Sequence, residues 1–294
     1  MKVSVIIPFR EKNQKVINCI NSIKNQDYKD LEIIALSDKV QLELDGVKSF
    51  LNENWKAVGE KRNFGAKVAQ GEILFFIDSD CVAKKDAISQ MIKIFQKYSA
   101  DAISGKPLAP EKGNLLGIAT GLEYEDRFDE MGEGFVDVAA TTCLGLYKKA
   151  FLDVGGFVDY KRGEATGEDW DFSARFRNKG YKIYHTNKVL VVHDHGDESL
   201  SHWFKRRIQH SRYRIVHLKK YGKGFDQYSS FRMMVESTFF LSIPIMIRIL
   251  KKKRNLKALS LPFFAFLRNI AWTIGVLTGL IEVRRMKILF KKIK

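Results

Sequence analysis

Three short runs constrain this chain more than anything else in it: Val3-Ser4-Val5-Ile6-Ile7-Pro8, Leu31-Glu32-Ile33-Ile34-Ala35-Leu36 and Ile73-Leu74-Phe75-Phe76-Ile77. Each is a nearly unbroken apolar stretch instead of an alternation of apolar and polar residues. A strand of that kind is buried on both faces, the condition of a parallel sheet covered by helices. Between the first two runs Val16, Ile17, Ile20 and Ile23 recur at helical spacing, so the opening segment reads as a βαβ unit. The spacing predicts further helices over about Val58–Val68, over Lys148–Val154 before the break at Gly155-Gly156, and over about Glu168–Lys179 closed by Gly180. Val136 to Tyr147 alternates enough for one or two more strands. The fold class is α/β.

At 294 residues and 45% hydrophobic composition the chain can bury one large α/β core plus an appendage. The expected division is a catalytic domain over 1–223 and a basic, apolar helical region over 224–294. The net charge of +16 is unevenly spread: residues 1–195 hold 28 Lys/Arg against 29 Asp/Glu, and residues 231–294 hold 14 against 2. Basic and apolar character in one segment points to an anionic membrane surface, not to nucleic acid. Cys19, Cys81 and Cys143 are odd in number and lack C-x-x-C spacing, so neither a disulfide framework nor a zinc site is expected. Met1-Lys2 runs straight into a strand with no apolar leader, which fits a location on the cytoplasmic side.

The third apolar run ends abruptly in Asp78-Ser79-Asp80. In open α/β sheets the carboxyl edge of the strands is where ligands bind. Two carboxylates flanking a small residue there can share a divalent cation, which in turn neutralises a diphosphate; an isolated Asp-x-Asp serves equally well to satisfy a turn. The dinucleotide fingerprint G-x-G-x-x-G is missing after the first strand, where Phe9-Arg10-Glu11-Lys12 stands, so a nicotinamide or flavin cofactor is not expected.

A second constellation is Gly167-Glu168-Asp169-Trp170-Asp171-Phe172, followed by Arg175 and Arg177. Thr166 and Asp169 would make an ordinary capping box, and Phe172 would meet Phe176 one turn on. Three acids in four residues exceed what a cap requires. A carboxylate at a helix N-terminus stays ionised and is placed to accept a proton, which makes Asp169 the candidate base.

With these pieces in order, and with Lys61-Arg62-Asn63, Gly65, Gly71 and Gly155-Gly156-Phe157 between them, the chain resembles the family 2 glycosyltransferases of GT-A fold over roughly residues 1–195. The resemblance implies a Rossmann-like nucleotide-binding sheet flanked by helices and an inverting transfer of sugar from a nucleotide-diphosphate donor. Asp38 matches the acid that meets the nucleotide base, and Arg62 a basic residue near the donor. Pro8, Arg10, Glu11 and Ser79 join the donor-binding set. Asp78 would contact the ribose or the sugar and Asp80 a Mn²⁺ or Mg²⁺ ion, while Glu168 and Asp169 would form the catalytic pair with Asp169 as base. A histidine near the end of the domain completes the metal or diphosphate site in such enzymes; His195 is assigned that role, with His193 the alternative. The processive signature Q-x-x-R-W is absent, since Arg206-Arg207-Ile208-Gln209-His210 does not match, so transfer of a single sugar is expected.

Phe239 to Leu250 is apolar but reaches only about 18 Å as a helix, short of the roughly 30 Å hydrocarbon core. Ala258 to Ile281 is long enough, but carries Pro262 and, near its middle, Arg268-Asn269. An interfacial or re-entrant helical hairpin, peripheral or monotopic, anchored by Lys251-Lys252-Lys253-Arg254 and by Lys291-Lys292, is the expectation; spanning, burial against the catalytic domain and a homodimer contact are the alternatives. Such a tail favours a lipid-linked acceptor, a polyprenyl phosphate or lipid-linked glycan, over a free saccharide. Gly113 to Gly134, rich in acids between apolar residues, is the expected acceptor-side segment. The competing classes are a nucleotidyltransferase, which usually needs a Gly-rich phosphate loop that the first strand lacks, and a non-catalytic membrane scaffold of the same fold.

Overall fold

A computed structural model describes residues 1–158, 167–195, 199–221 and 242–292, with backbone alone for 285–292. The chain forms two compact units, Met1–Pro110 with Arg127–Asp194, and Glu111–Asp126 with His195–Lys294. The expected boundary at 223/224, the cap residue Thr166 and the start of the apolar run at Phe239 lie outside the described residues.

In chain order the first unit contains β1 (Val3–Phe9), α1 (Gln14–Lys24), β2 (Leu31–Ser37), β3 (Val47–Leu51), α2 (Val58–Val68), β4 (Ile73–Ile77), β5 (Cys81–Ala83), α3 (Ala87–Lys97) and β6 (Ala102–Leu108). Helix α4 (Leu115–Met131) begins in the second unit. The first unit then continues through β7 (Gly134–Val136), β8 (Cys143–Tyr147), α5 (Lys148–Val154), α6 (Glu168–Asn178) and β9 (Ile183–His193). One sheet runs β3-β2-β1-β4-β8-β6-β9-β5, with β7 also on β9. Its β3-β2-β1-β4 half is parallel, β8 is antiparallel to both its neighbours, and β9 is parallel to β6.

The period of two sorts each apolar run onto two faces. Val3, Val5, Ile7, Ile73, Phe75 and Ile77 join Val16, Cys19, Ile20 and Ile23 of α1 in one core. Ile6, Ile34, Leu36, Leu74 and Phe76 join Ala66 of α2, Phe151 of α5 and Phe172 and Phe176 of α6 in the other. Glu32, the one charge within these strands, accepts from Ser4 Oγ at 2.6 Å, Lys48 Nζ at 2.7 Å and the Gln70 N–H at 2.6 Å. Burial pushes its pKa up, yet these donors hold it down at about 2.

The sheet cannot be flat. Four strand intervals separate β4 from β5, about 19 Å in a flat sheet. Only four Cα steps lead from Ile77 to Cys81, at most about 14 Å, and the Cys81 N–H donating to the Asp78 carbonyl at 2.9 Å folds them into a turn. The sheet therefore curls until its far edge returns to the end of β4. An irregularity between Ser104 and Lys106 of β6 supplies part of the bend. Gly105 is required there, since a Cβ would lie 2.2 Å from Cys143 Sγ and 2.6 Å from the Val189 carbonyl oxygen.

The second unit holds the start of α4, then α7 (Leu200–Tyr221), α8 (Ser242–Lys253), a 3₁₀ turn (Leu256–Ser260) and α9 (Leu261–Lys292). Two tail expectations need correction. Pro262 does not interrupt a helix, because α9 begins at Leu261 and Pro262 sits in its first turn, where its missing N–H costs nothing. Arg268 is not a charge facing lipid, because it is buried and paired with Glu123. Glu125 and Asp126 of α4 likewise pair with Lys253 and Arg248, so these three acids of the 113–134 segment neutralise basic residues of the tail.

Helix α9 meets α7 through Gly275 and Gly279. A Cβ on Gly275 would fall 1.7 Å from Ser211 Oγ and 2.3 Å from the Ile208 carbonyl oxygen. This Gly-x-x-x-Gly pair is thus occupied within the chain. Gly275→Val is expected to lower unfolding free energy by about 3 kcal/mol, the upper part of the range for overpacking, because the clash includes backbone. Chemical denaturation of the variant beside Gly279→Ala, whose nearest neighbour would be 2.8 Å away, checks this; equal midpoints for both variants and the parent would contradict the packing.

Candidate active site

The carboxyl end of β4 delivers Asp78, and the next turn of chain delivers Asp80. Arg62 of α2 lies buried beneath them, 3% exposed. One guanidinium nitrogen reaches Asp78 Oδ1 at 2.6 Å and another reaches Glu168 Oε1 at 3.1 Å. Burial alone would lower the arginine's pKa, but Asp78 and Glu168 raise it above its ordinary value, so the group is a fixed cation. Two motifs far apart in sequence are thereby joined through one side chain.

Helix α6 starts at Gly167 with φ +84°, in the left-handed region that suits glycine. Its first turn sorts three acids. Asp171 points inward and is bonded to Arg175 Nε at 2.7 Å, while the other Arg175 nitrogens donate to the carbonyls of Val154 and Gly156, each at 2.7 Å. Glu168 faces Arg62. Asp169 accepts the Trp170 N–H at 2.9 Å. Burial, then the negative charge of Glu168, raises its pKa to about 7 against the smaller opposing pull of Trp170 N–H and Arg62. The expectation that the helix terminus keeps this acid fully ionised is corrected accordingly: desolvation and a neighbouring carboxylate outweigh the helix dipole.

Asn63 explains why Gly155-Gly156-Phe157 accompanies the acids. Its side chain accepts the Phe157 N–H and donates to the Phe157 carbonyl, both at 2.8 Å. Gly156, at φ +67°, passes so close that a Cβ would lie 2.5 Å from Asn63 Oδ1. Phe157 packs among Phe76, Phe151 and Phe172, and the Arg62 guanidinium sits 5.6 Å above its ring. Phe172 and Phe176 make the expected i, i+4 ring contact. Asn63, Asp171 and Arg175 are therefore framework that positions Arg62, Glu168 and Asp169.

On the other side of the Asp-x-Asp turn, β5 pairs with the end of β9 and sets His193 opposite Cys81. His193 Nε2 lies 3.5 Å from Asp80 Oδ1, and the ligand atoms of Asp80, Cys81 and His193 all fall within 4.8 Å of one another. The buried Cys81 thiol has a pKa well above its ordinary value, through burial first and then Asp80 and Asp78; it stays protonated and is a poor ligand for a hard cation. Asp80 and His193 together offer a carboxylate oxygen and an imidazole nitrogen, a donor pair able to hold a divalent cation. His195 lies in the second unit, its ring 6.3 Å from that of Tyr124.

Toward the other end of the strand edge, Lys61 ion-pairs with Asp38 and donates to the Phe9 carbonyl at 3.0 Å. Burial pushes the Asp38 carboxyl up, and Lys61 more than reverses this. Arg10 adds to the favourable field on Asp38; Glu11 sits 3.9 Å from Lys39, and Pro8 is buried in β1. Within the Lys61-Arg62-Asn63 run it is thus Lys61, given no role by the resemblance, that sets Asp38.

The "Glycosyl transferase family 2" model matches residues 4–120 and the "Glycosyl transferase family group 2" model matches residues 73–281. A Campylobacter jejuni GalNAc(5)-diNAcBac-PP-undecaprenol β-1,3-glucosyltransferase is 33% identical over 52% of this chain and 53% of its own length, so the chain spans about half of that relative. A Methanococcus voltae dolichyl N-acetyl-α-D-glucosaminyl phosphate 3-β-D-2,3-diacetamido-2,3-dideoxy-β-D-glucuronosyltransferase is 23% identical over 95% of the chain and 97% of its length. A mannosyltransferase of Pyrobaculum calidifontis, solved with GDP-Man and Mn²⁺, superposes with a TM-score of 0.61 at 14% identity, covering 96% of this chain and 86% of that one. The sheet with its flanking helices is the GT-A fold, and the chain belongs to the family 2 glycosyltransferases.

Proposed function

We propose that the chain is a metal-dependent, inverting glycosyltransferase that moves one sugar from a nucleotide-diphosphate donor to a hydroxyl or phosphate of a lipid-linked saccharide or polyprenyl phosphate, at the cytoplasmic face of a membrane. The observation that carries the reading is the Asp78–Arg62–Glu168 bridge with Asp169, shifted to a pKa of about 7, beside it. A carboxylate so tuned can accept a proton, and the Arg62 cation that holds its neighbours Asp78 and Glu168 stabilises negative charge nearby. The acceptors named for the Campylobacter and Methanococcus relatives, both lipid-linked, support the acceptor class. The neighbour captured with GDP-Man and Mn²⁺ supports the donor and the metal.

In this reading Asp169 takes the proton as the acceptor oxygen attacks the anomeric carbon from the face opposite the departing nucleotide diphosphate. The new bond forms as the old one breaks, and the configuration inverts. Asp38, set by Lys61, would meet the nucleotide base, and Pro8, Arg10, Glu11 and Ser79 would complete the donor-binding set. Asp78, fixed by Arg62, meets the ribose or sugar. Asp80 with His193 would hold the cation; a bound Mn²⁺ or Mg²⁺ would offset the charge growing on the leaving diphosphate.

Asp80→Asn is expected to cut transfer at least about 100-fold while leaving thermal unfolding close to the parent's. A panel of nucleotide sugars, each with Mn²⁺, Mg²⁺ or chelator and followed by release of nucleoside diphosphate, identifies the donor and checks the metal. Transfer undiminished by chelation and by Asp80→Asn would overturn the metal assignment; no turnover with any donor and a lipid-linked acceptor would overturn the function.

A further inference from the structure

Between Leu256 and Arg284 the second unit carries a helical segment long and apolar enough to cross a membrane. Its burial has a clear period: Ala258, Leu261, Ala265, Arg268, Ala271, Gly275 and Gly279 are inside. Leu256, Leu259, Phe263, Phe266, Ile270, Ile274, Leu277 and Ile281 are outside, Leu256 at 76%. Among the exposed residues from Leu259 to Ile281 only Thr273 and Thr278 are polar, and their hydroxyls donate to the carbonyls of Asn269 and Ile274 one turn back. Apart from the half-buried Asn269 at its edge, the outer face thus presents apolar side chains and hydroxyls already bonded to the helix. A patch of this extent on a chain otherwise rich in charge marks an interaction surface.

The inner face decides how that surface is used. Phe264 meets the Trp203 ring, Gly275 meets Ser211 and Glu282 pairs with Arg212, so α9 and α7 lie side by side in the same direction. Along this stretch α7 carries Lys205, Arg206, Arg207, Arg212 and Arg214. Arg212 is paired with Glu282 and Arg214 is buried, but were α9 to cross a bilayer it would carry the exposed Lys205 and the half-buried Arg206 and Arg207 to hydrocarbon depth, where cations are penalised. At the start of the stripe Lys251, Lys252, Arg254 and Lys257 are exposed, a cationic cluster that complements acidic headgroups.

We infer that α9 lies in the plane of an anionic membrane surface, its Leu256–Ile281 stripe among the acyl chains and its glycine face closed on α7. This rests on the membrane part of the proposed function but specifies a monotopic arrangement against a spanning one. The test uses the whole chain, whose three native cysteines are buried. Nitroxide labels are placed at Leu259→Cys, Ile270→Cys and Leu277→Cys, and immersion depth is read by oxygen and nickel-chelate accessibility on phosphatidylcholine vesicles with and without phosphatidylglycerol. All three labels are expected at one shallow depth, about 5–10 Å. Binding is expected to need phosphatidylglycerol and to fall about tenfold or more in Lys251→Glu/Lys252→Glu. Leu259 and Leu277 are about 27 Å apart along the helix; both labels near opposite surfaces with Ile270 at the bilayer centre would overturn the in-plane arrangement alone. A chain that ignores both kinds of vesicle and instead buries the labels in a dimer of itself would overturn the membrane surface as well, while leaving sugar transfer to be judged by nucleotide release.

Discussion

Replacing Asp169 by Asn is expected to reduce sugar transfer by about 10²–10⁴-fold, the range for loss of a general base. The amide keeps the shape and can still accept the Trp170 N–H, so the loss is chemical and not structural. In the parent the base must be ionised, and with a pKa of about 7 the transfer rate is expected to climb about tenfold per pH unit below neutrality and level above it. Stability runs the other way. The folded-state pKa lies above the ordinary 3.8, so this group favours folding below about pH 4, and that contribution disappears as pH rises through 7. Asp169→Asn removes the cost of holding a partly desolvated anion beside Glu168: at pH 8 the variant is expected to melt above the parent, and at pH 4 no higher. Kinetics across pH together with thermal melts check both halves, and a folded variant with near-normal transfer would sink the assignment.

The second large effect is expected from Arg62→Met. The methionine fills similar volume, but Asp78 and Glu168 lose their common cation. Breaking a buried ion pair from one side costs about 3–5 kcal/mol, and the lower end applies because Asp78 is 27% exposed and can recruit water. Arg62→Lys is expected to recover only part of the loss, since an ammonium is a point charge that cannot fork to two carboxylates on different elements. Denaturant midpoints measure the stability term. Transfer measured under conditions where the variants stay folded is expected to fall with Asp78 and Glu168 unclamped; parental stability and turnover in Arg62→Met would remove the bridge from the argument.

What could be read from the chain beforehand follows the range of the forces involved. Helix α2, strand β4 and helix α5 were placed from local pattern to the residue, because buried strands and capped helices announce themselves within a short window. Local pattern does not mark strands β3, β5 and β6 or helix α3; β5 is three residues long and exists because β9 supplies its partner. The acids of α6 looked alike in sequence, and only the position of Arg175 separates Asp171 from Asp169. His193 and His195 would share a face had β9 continued, but the strand ends at His193, so alternation had no power to choose between them. The acids of α4 suggested a ligand surface, whereas Glu123, Glu125 and Asp126 find partners on α8 and α9, more than a hundred positions downstream.

The short link between β4 and β5 is a tight turn, closed by the Cys81 N–H donating to the Asp78 carbonyl at 2.9 Å. Three residues folded on their own backbone hydrogen bond, with a strand of the same sheet at either end, leave Asp78-Ser79-Asp80 no room to lengthen or be remodelled without uncoupling the sheet from its own returning edge. Whatever tunes this scaffold to one donor over another must therefore be sought in stretches with spare length, such as 38–46 after β2, where sequence can drift while the acids remain fastened.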